Sequence, residues 1–455
     1  MPTTLDCHIM GNVFGTKRMR AVFDSRRLLQ GWLDVWAALA EAEAEAGIIP
    51  EDAARTIRSV AKAENFDLEQ IGHGVETGRH ILMPAIRALT TAAGDAGKYV
   101  HWGTTTQDII DTGAVLQMRE GLDIIEDEIR TQIGFLLPVA QRYRSHAMAG
   151  RTHWQHAVPI TFGMKVALWI DELNRHIERL QRCRSLISIC QMGGAGGTFA
   201  SLGTYGPAVQ AAFSRRIGLP LADAPWYNVR DQFAELVSTF GLIAATTERI
   251  CSETGRLSST EIGEVSEPQT KGQVGSSTMP QKLNPINGER AIANCRMVRG
   301  LVPVMQGAMV VAHERDMSAT ATEWLLLPQC FILMDGALSL AHRILADLRV
   351  DAERMTQNLA ISGGGIVAEA VMFGLATHVG RGRAHDLILD LAREAHGKHL
   401  PLIDVLLVND EIRQHLSESE LRELVKPENH LGIAESVVDQ VVAQASKHIR
   451  APVQA

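Results

Sequence analysis

Apolar positions along this chain recur mainly at three- and four-residue steps, the period of one helix face. From Ser25 onward Leu29, Trp32, Leu33, Trp36, Leu39 and Ala40 form the first such stripe, which Gly47 and Pro50 end. Shorter helical stretches broken by Gly and Asp continue to about Gly97. Longer seams follow: Val115, Met118, Leu122, Ile125, Ile129, Ile133 and Leu136, then Val166, Trp169, Leu173, Ile177 and Leu180. Phe233, Val237, Phe240, Ile243, Thr247 and Ile250 make a third, and Ile292, Cys295, Val298, Val302 and Met305 a fourth, in which Pro303 predicts a bend. Alternation of period two is almost absent, so strands are not expected. The pattern predicts an all-α fold of three helical domains. These are an N-terminal domain over 1–108, a central long-helix bundle over 109–350 and a small C-terminal domain over 351–455. Helices apolar on more than one side need more neighbours than one chain supplies, which predicts a bundle shared between subunits.

Charge and cysteine content narrow the function. With 44 basic and 52 acidic residues the net charge is −8, which argues against a nucleic-acid or anionic-membrane surface. A small anionic substrate must then be caught by a few placed cations. The six cysteines show no C-x-x-C spacing, as expected of reduced thiols in a cytoplasmic protein, and no zinc site is indicated. No apolar leader segment and no uninterrupted apolar run of about 18 residues occurs, so neither export nor membrane spanning is expected.

One stretch breaks the helical pattern sharply. Between Gly272 and Glu289 lie Gly275, Ser276, Ser277, Pro280, Lys282, Asn284 and Pro285, which together predict a loop between two long helices, one that closes over a ligand. Serine is a poor base in water, so a catalytic serine needs several donors aimed at it, which free amides of a glycine-containing loop can supply. Lys282 and Asn284 suit a carboxylate whose charge grows during a reaction. The loop resembles the signature G-S-S-x-M-P-x-K-x-N-P of the fumarase/aspartase superfamily. That resemblance implies that Ser276 removes the proton β to the leaving group of a succinyl-type substrate. It likewise implies that Lys282 and Asn284 hold a substrate carboxylate and the aci-carboxylate intermediate.

Three further stretches extend the resemblance from about Arg20 to the C-terminus. Gly150-Arg-Thr-His-Trp-Gln-His-Ala-Val-Pro159 is similar to the T-H-x-Q-x-A-x-P element, which implies that Thr152 and His153 face the substrate and that His153 pairs with Glu289. A carboxylate on one ring nitrogen fixes the tautomer and raises the basicity of the other. His156 lacks such a partner and is given no role. His101-Trp-Gly-Thr-Thr-Thr-Gln-Asp108 resembles H-x-G-x-T-S-x-D, implying that His101, Thr105 and Thr106 line a carboxylate while Asp108 caps the following helix. His313-Glu-Arg-Asp-Met-Ser318 resembles a stretch of the adenylosuccinate lyase branch, from which Arg315 is carried over as an anion anchor and Arg20 as a further ligand. The run Gly193–Thr198 lacks the dinucleotide spacing and reads as backbone architecture.

The resemblance implies an enzyme without cofactor or metal, a homotetramer with each site shared by three subunits, acting on a small polycarboxylate. Met19-Arg-Ala-Val-Phe23 and Gly380-Arg-Gly-Arg-Ala-His385 look most like bacterial 3-carboxy-cis,cis-muconate cycloisomerases. That group typically lacks both the histidine and the glutamate found here as His153 and Glu289, which favours a fumarate-releasing C–N lyase with the cycloisomerase as the alternative. Adenylosuccinate lyase fits less well. Its T-x-H-D element is reduced to Thr77-Gly-Arg-His-Ile81, and its phosphate-handling S-S-x-E-R has become Thr320-Ala-Thr-Glu-Trp324. A non-catalytic, crystallin-like role is disfavoured by the presence of Ser276 and Lys282.

Overall fold

A computed structural model describes residues 4–7, 9–269, 278–279, 281–447 and 449. It is 71% helical with little sheet, the all-α class the periodicity predicts. The first stripe is helix α1 (Ser25–Glu45), capped by the Asp24 carboxylate on the Arg27 amide. The four long seams are α2 (Thr106–Arg142), α3 (Phe162–Ile187), α4 (Asp231–Leu257) and α5 (Ile286–Gly307).

A further long helix, α6 (Met317–Leu345), was not legible as a seam, because it is apolar on nearly every side and carries Pro328 inside. It is long and apolar enough to cross a membrane, yet 67% of its most apolar window is buried within the fold. Its Asp335 carboxylate accepts a 2.6 Å hydrogen bond from the Thr16 hydroxyl, so a polar group on this helix is satisfied by the protein itself.

The chain forms two compact units. The first holds residues 1–128, 176–247 and 290–339. Its core gathers Trp36, Phe240, Phe331 and Met19, with Phe240 and Phe331 edge to face at 4.8 Å. Small residues bring its helices close: Gly31 of α1 faces the backbone of Gly113 of α2, and a Cβ at Gly241 of α4 would meet Val302 of α5 at 2.8 Å. Buried Arg230 lies between Asp111 and Glu323, bonded to both, with its guanidinium over the rings of Trp226 and Phe233.

The second unit holds residues 129–175, 248–289 and 340–455. Phe162 packs edge to face on Tyr143, and a separate cluster around Val371, Leu375, Ala384, Leu406 and Leu421 knits the C-terminal helices. This unit also carries what the periodicity did not predict, an antiparallel hairpin of β1 (Ala147–Thr152) and β2 (Gln155–Thr161). The Gly150–Pro159 stretch lies within this hairpin, and α3 starts directly after it. Its strands are too short and too mixed in polarity to announce themselves.

Candidate active site

Sequence-predicted site residues occur in both units. In the first, the turn before α2 sets His101 in the left-handed region (φ 61°) and half-buries its ring. The Trp36 indole N–H donates to His101 Nδ1 at 3.1 Å, so Nδ1 must present a lone pair and the ring proton sits on Nε2. Burial, aided by the nearby charge of His80, pulls the His101 pKa down to about 4. His101 is thus a neutral donor at pH 7.

Asp108 does more than the expected capping. One carboxylate oxygen accepts from the Thr105 amide at 2.9 Å and the Gly194 amide at 3.1 Å. The other accepts from the Gly193 amide at 3.0 Å and from the Tyr227 hydroxyl. The start of α2 is thereby bolted to the glycine run, and burial pushes the Asp108 pKa up to about 6 despite these donors. Arg315 lies over the Tyr227 ring and is held by Gln107 Oε1 (2.7 Å) and the Ala195 carbonyl (3.2 Å), with a longer contact to the Thr105 hydroxyl at 3.5 Å. The Arg315 guanidinium and the Thr105 hydroxyl thus stand together beside the N-terminus of α2, groups able to receive a carboxylate. Arg20 does not join this group. Its guanidinium donates to the Leu5 carbonyl and fills the space left by Gly11, where a Cβ would sit 2.3 Å from Nη2.

In the second unit Thr152 and His153 stand at the tip of the hairpin. Thr152 pairs with Gln155, so His153 and Trp154 are its two turn residues, both at positive φ (49° and 69°). Such turns ordinarily use Asn or Gly, and a non-glycine residue there stores strain. Below the tip, Arg151 makes a bidentate pair with fully buried Glu264, at 2.9 and 2.6 Å, and Asn358 donates to the same carboxylate. His153 and Trp154 are both exposed, with the Arg256 guanidinium 4.9 Å from the Trp154 ring centre. Lys282 is exposed, with its amide donating to the Met279 carbonyl in a turn; Asn284 is half-buried just before α5. Glu289 is exposed in the first turn of that helix. No hydrogen bond or ion pair joins Glu289 to His153 within the chain among the described residues. Ser276 lies outside the described residues.

Comparison with known proteins decides the family. Residues 14–300 match the family described as Lyase, and residues 364–441 match the adenylosuccinate lyase C-terminus. The chain is 36% identical to the N-acetyl-S-(2-succino)cysteine lyase of Dickeya dadantii, covering 97% of each protein. It is 40% identical to the 3-carboxy-cis,cis-muconate cycloisomerase of Pseudomonas aeruginosa, covering 94% of each. The crystal structure of the 3-carboxy-cis,cis-muconate lactonizing enzyme from Pseudomonas putida superposes with a TM-score of 0.91 at 36% identity, over 96% of this chain and 99% of that one. The chain belongs to the fumarase/aspartase superfamily of lyases.

The structure of this lyase adds residues that the motifs did not single out. Glu267, nearly fully buried, accepts from the amides of Asn287 (3.2 Å) and Gly288 (2.8 Å) and from the Asn287 side chain (2.9 Å). It places a carboxylate on the N-terminus of α5, where the helix dipole favours it. Gln107 and Tyr227 position Arg315, and Tyr227 also engages Asp108. Only Glu267 left a trace in sequence, as an acidic residue just before Pro268 at the start of the loop; Gln107 and Tyr227 act through contacts distant along the chain. No group of three or more His, Cys, Asp or Glu side chains is arranged to hold a metal among the described residues.

Proposed function

We propose that this lyase eliminates the amine from an N-substituted aspartate, releasing fumarate, and can run the addition in reverse. Ser276 takes the Cβ proton, and the electron pair is held as an aci-carboxylate facing Lys282, Asn284 and the loop amides. Collapse of that intermediate forms the C=C bond and breaks the C–N bond, with His153, oriented by Glu289, delivering a proton to the leaving nitrogen or relaying its charge. His101, Thr105, Thr106, Thr152 and Arg315 hold the carboxylates; Arg20, bonded to the Leu5 carbonyl, is not among them. Assembly of these groups from separate stretches is the reason for proposing a homotetramer with each site shared by three subunits, in the cytoplasm.

The observation that carries this reading is the joint presence of His153 and Glu289, with His153 held on a strained hairpin tip. The Dickeya relative supports it, since its name describes release from a succinyl adduct, there a thioether. Likeness to the two cycloisomerases favours a second reading, in which the same apparatus closes a muconate onto a lactone. One screen separates them: fumarate absorbance with succinyl-amines and succinyl-thioethers, beside loss of muconate absorbance. We expect fumarate release from a succinyl adduct, and loss of muconate absorbance alone would overturn the reading. In the Ser276→Ala variant turnover should fall by at least about 10²–10⁴-fold, the contribution of a positioned base; an unimpaired variant would refute the assignment of Ser276.

A further inference from the structure

In the first unit, along α2, lies a partly open cavity of about 230 Å³, walled by Phe23, Leu28, Trp32, Ile81, Trp324 and Leu327. Of its polar groups the Trp32 indole N–H has no partner, whereas Gln117 and Glu323 are engaged. Gln117 donates to the Val22 carbonyl at 2.7 Å, and Glu323 is paired with buried Arg230. No lysine or arginine lines it, and Glu323 adds negative charge, so a phosphate would lose hydration there without gaining a cation. Trp324 stands where the nucleotide-handling branch has its phosphate-binding arginine, and Ile81 where that branch has an aspartate.

The cavity shares a helix with residues assigned to the substrate. Ile110, another wall residue, is one turn beyond Thr106 on α2, which puts the two on one helix face. Ile81 directly follows His80, whose charge is felt by His101. An apolar cavity of about 150 Å³ stays dry and binds benzene, so this one has room for a ring of that size or a chain of about six carbons. We propose that the cavity receives an apolar substituent on the leaving heteroatom, making the substrate a succinyl adduct of an alkyl or aryl amine. This rests on the elimination reading and deepens it.

The test is a homologous series of N-alkyl aspartates, from methyl to octyl, assayed for fumarate release and, separately, for binding by tryptophan fluorescence. In the wild type kcat/KM should rise about fourfold per methylene, the transfer free energy of one buried methylene, until about six carbons fill the space. Trp324→Arg should flatten that slope. Leu28→Ala, at a more exposed edge, should lower it in a protein whose melting temperature verifies folding. Fumarate release independent of chain length, or a slope unchanged in both variants, would overturn the cavity assignment while leaving the elimination standing. If no adduct yields fumarate, the elimination reading fails by itself. The fluorescence titration then decides the cavity: affinity that rises with chain length and falls in Trp324→Arg sustains it, and length-independent affinity removes it.

Discussion

His101 gains its character from burial first, with the Trp36 indole and the Thr104 hydroxyl at Nδ1 and His80 nearby. Because the Trp36 indole occupies Nδ1 as donor, protonating the ring would set two N–H groups against each other in a half-buried site. Its pKa is pulled from 6.5 to about 4, so the unfolded chain binds more protons between those values. Stability from this residue is therefore complete above about pH 6.5 and is lost as the pH falls toward 4, by about 3 kcal/mol in all. A His101→Gln variant should show a flatter dependence of its urea midpoint on pH across that window; the same slope as the wild type would contradict the assignment. His153 poses the opposite question, since its backbone is strained while its side chain is solvent-exposed. His153→Asn suits a positive φ better and should stabilise the protein by about 1 kcal/mol while lowering turnover about 100-fold or more. Denaturant titration and initial rates on one preparation measure both, and a variant that is stabilised and fully active would end the case for His153.

Among the elements, the join between the signature loop and α5 is the most exacting. Three donors meet the one carboxylate of Glu267. Glu267→Ala strands two amides at a helix start and should cost about 1–3 kcal/mol of stability. It should also lower kcat more than it changes KM, because Lys282, Asn284 and Glu289 all follow from that anchor. An altered KM with kcat preserved would show the clasp to be structural only. The four seams were legible because one face of each helix repeats through Val115–Leu136, Val166–Leu180, Phe233–Ile250 and Ile292–Met305. Helix α6 and the hairpin were not, the first because burial on nearly every side erases a period and the second because its register depends on a two-residue turn without Asn or Gly. Site residues were legible as motifs, whereas what holds them, such as Tyr227 beneath Arg315 or Trp36 behind His101, lies 88 and 65 residues away in the chain and emerges only on folding.

On the scale of the whole molecule, the long helices of the first unit keep apolar side chains outward: Leu242 of α4, Met297 and Val304 of α5 and Leu325 of α6 are all substantially exposed. Exposed apolar side chains of this size on bundle helices fit the proposed subunit interface. Leu242→Glu combined with Met297→Glu should shift sedimentation from tetramer toward smaller species and remove activity together with assembly. A fully active monomer would refute shared sites. The two compact units are also connected along the chain in an unusual way. Each of the long helices α2 to α6 passes from one unit into the other without a break, at residues 128–129, 175–176, 247–248, 289–290 and 339–340. Every crossing lies inside hydrogen-bonded helix, so there is no linker there for a protease to cut or for recombination to exploit. The units were therefore never separable as modules, because five backbones run through both.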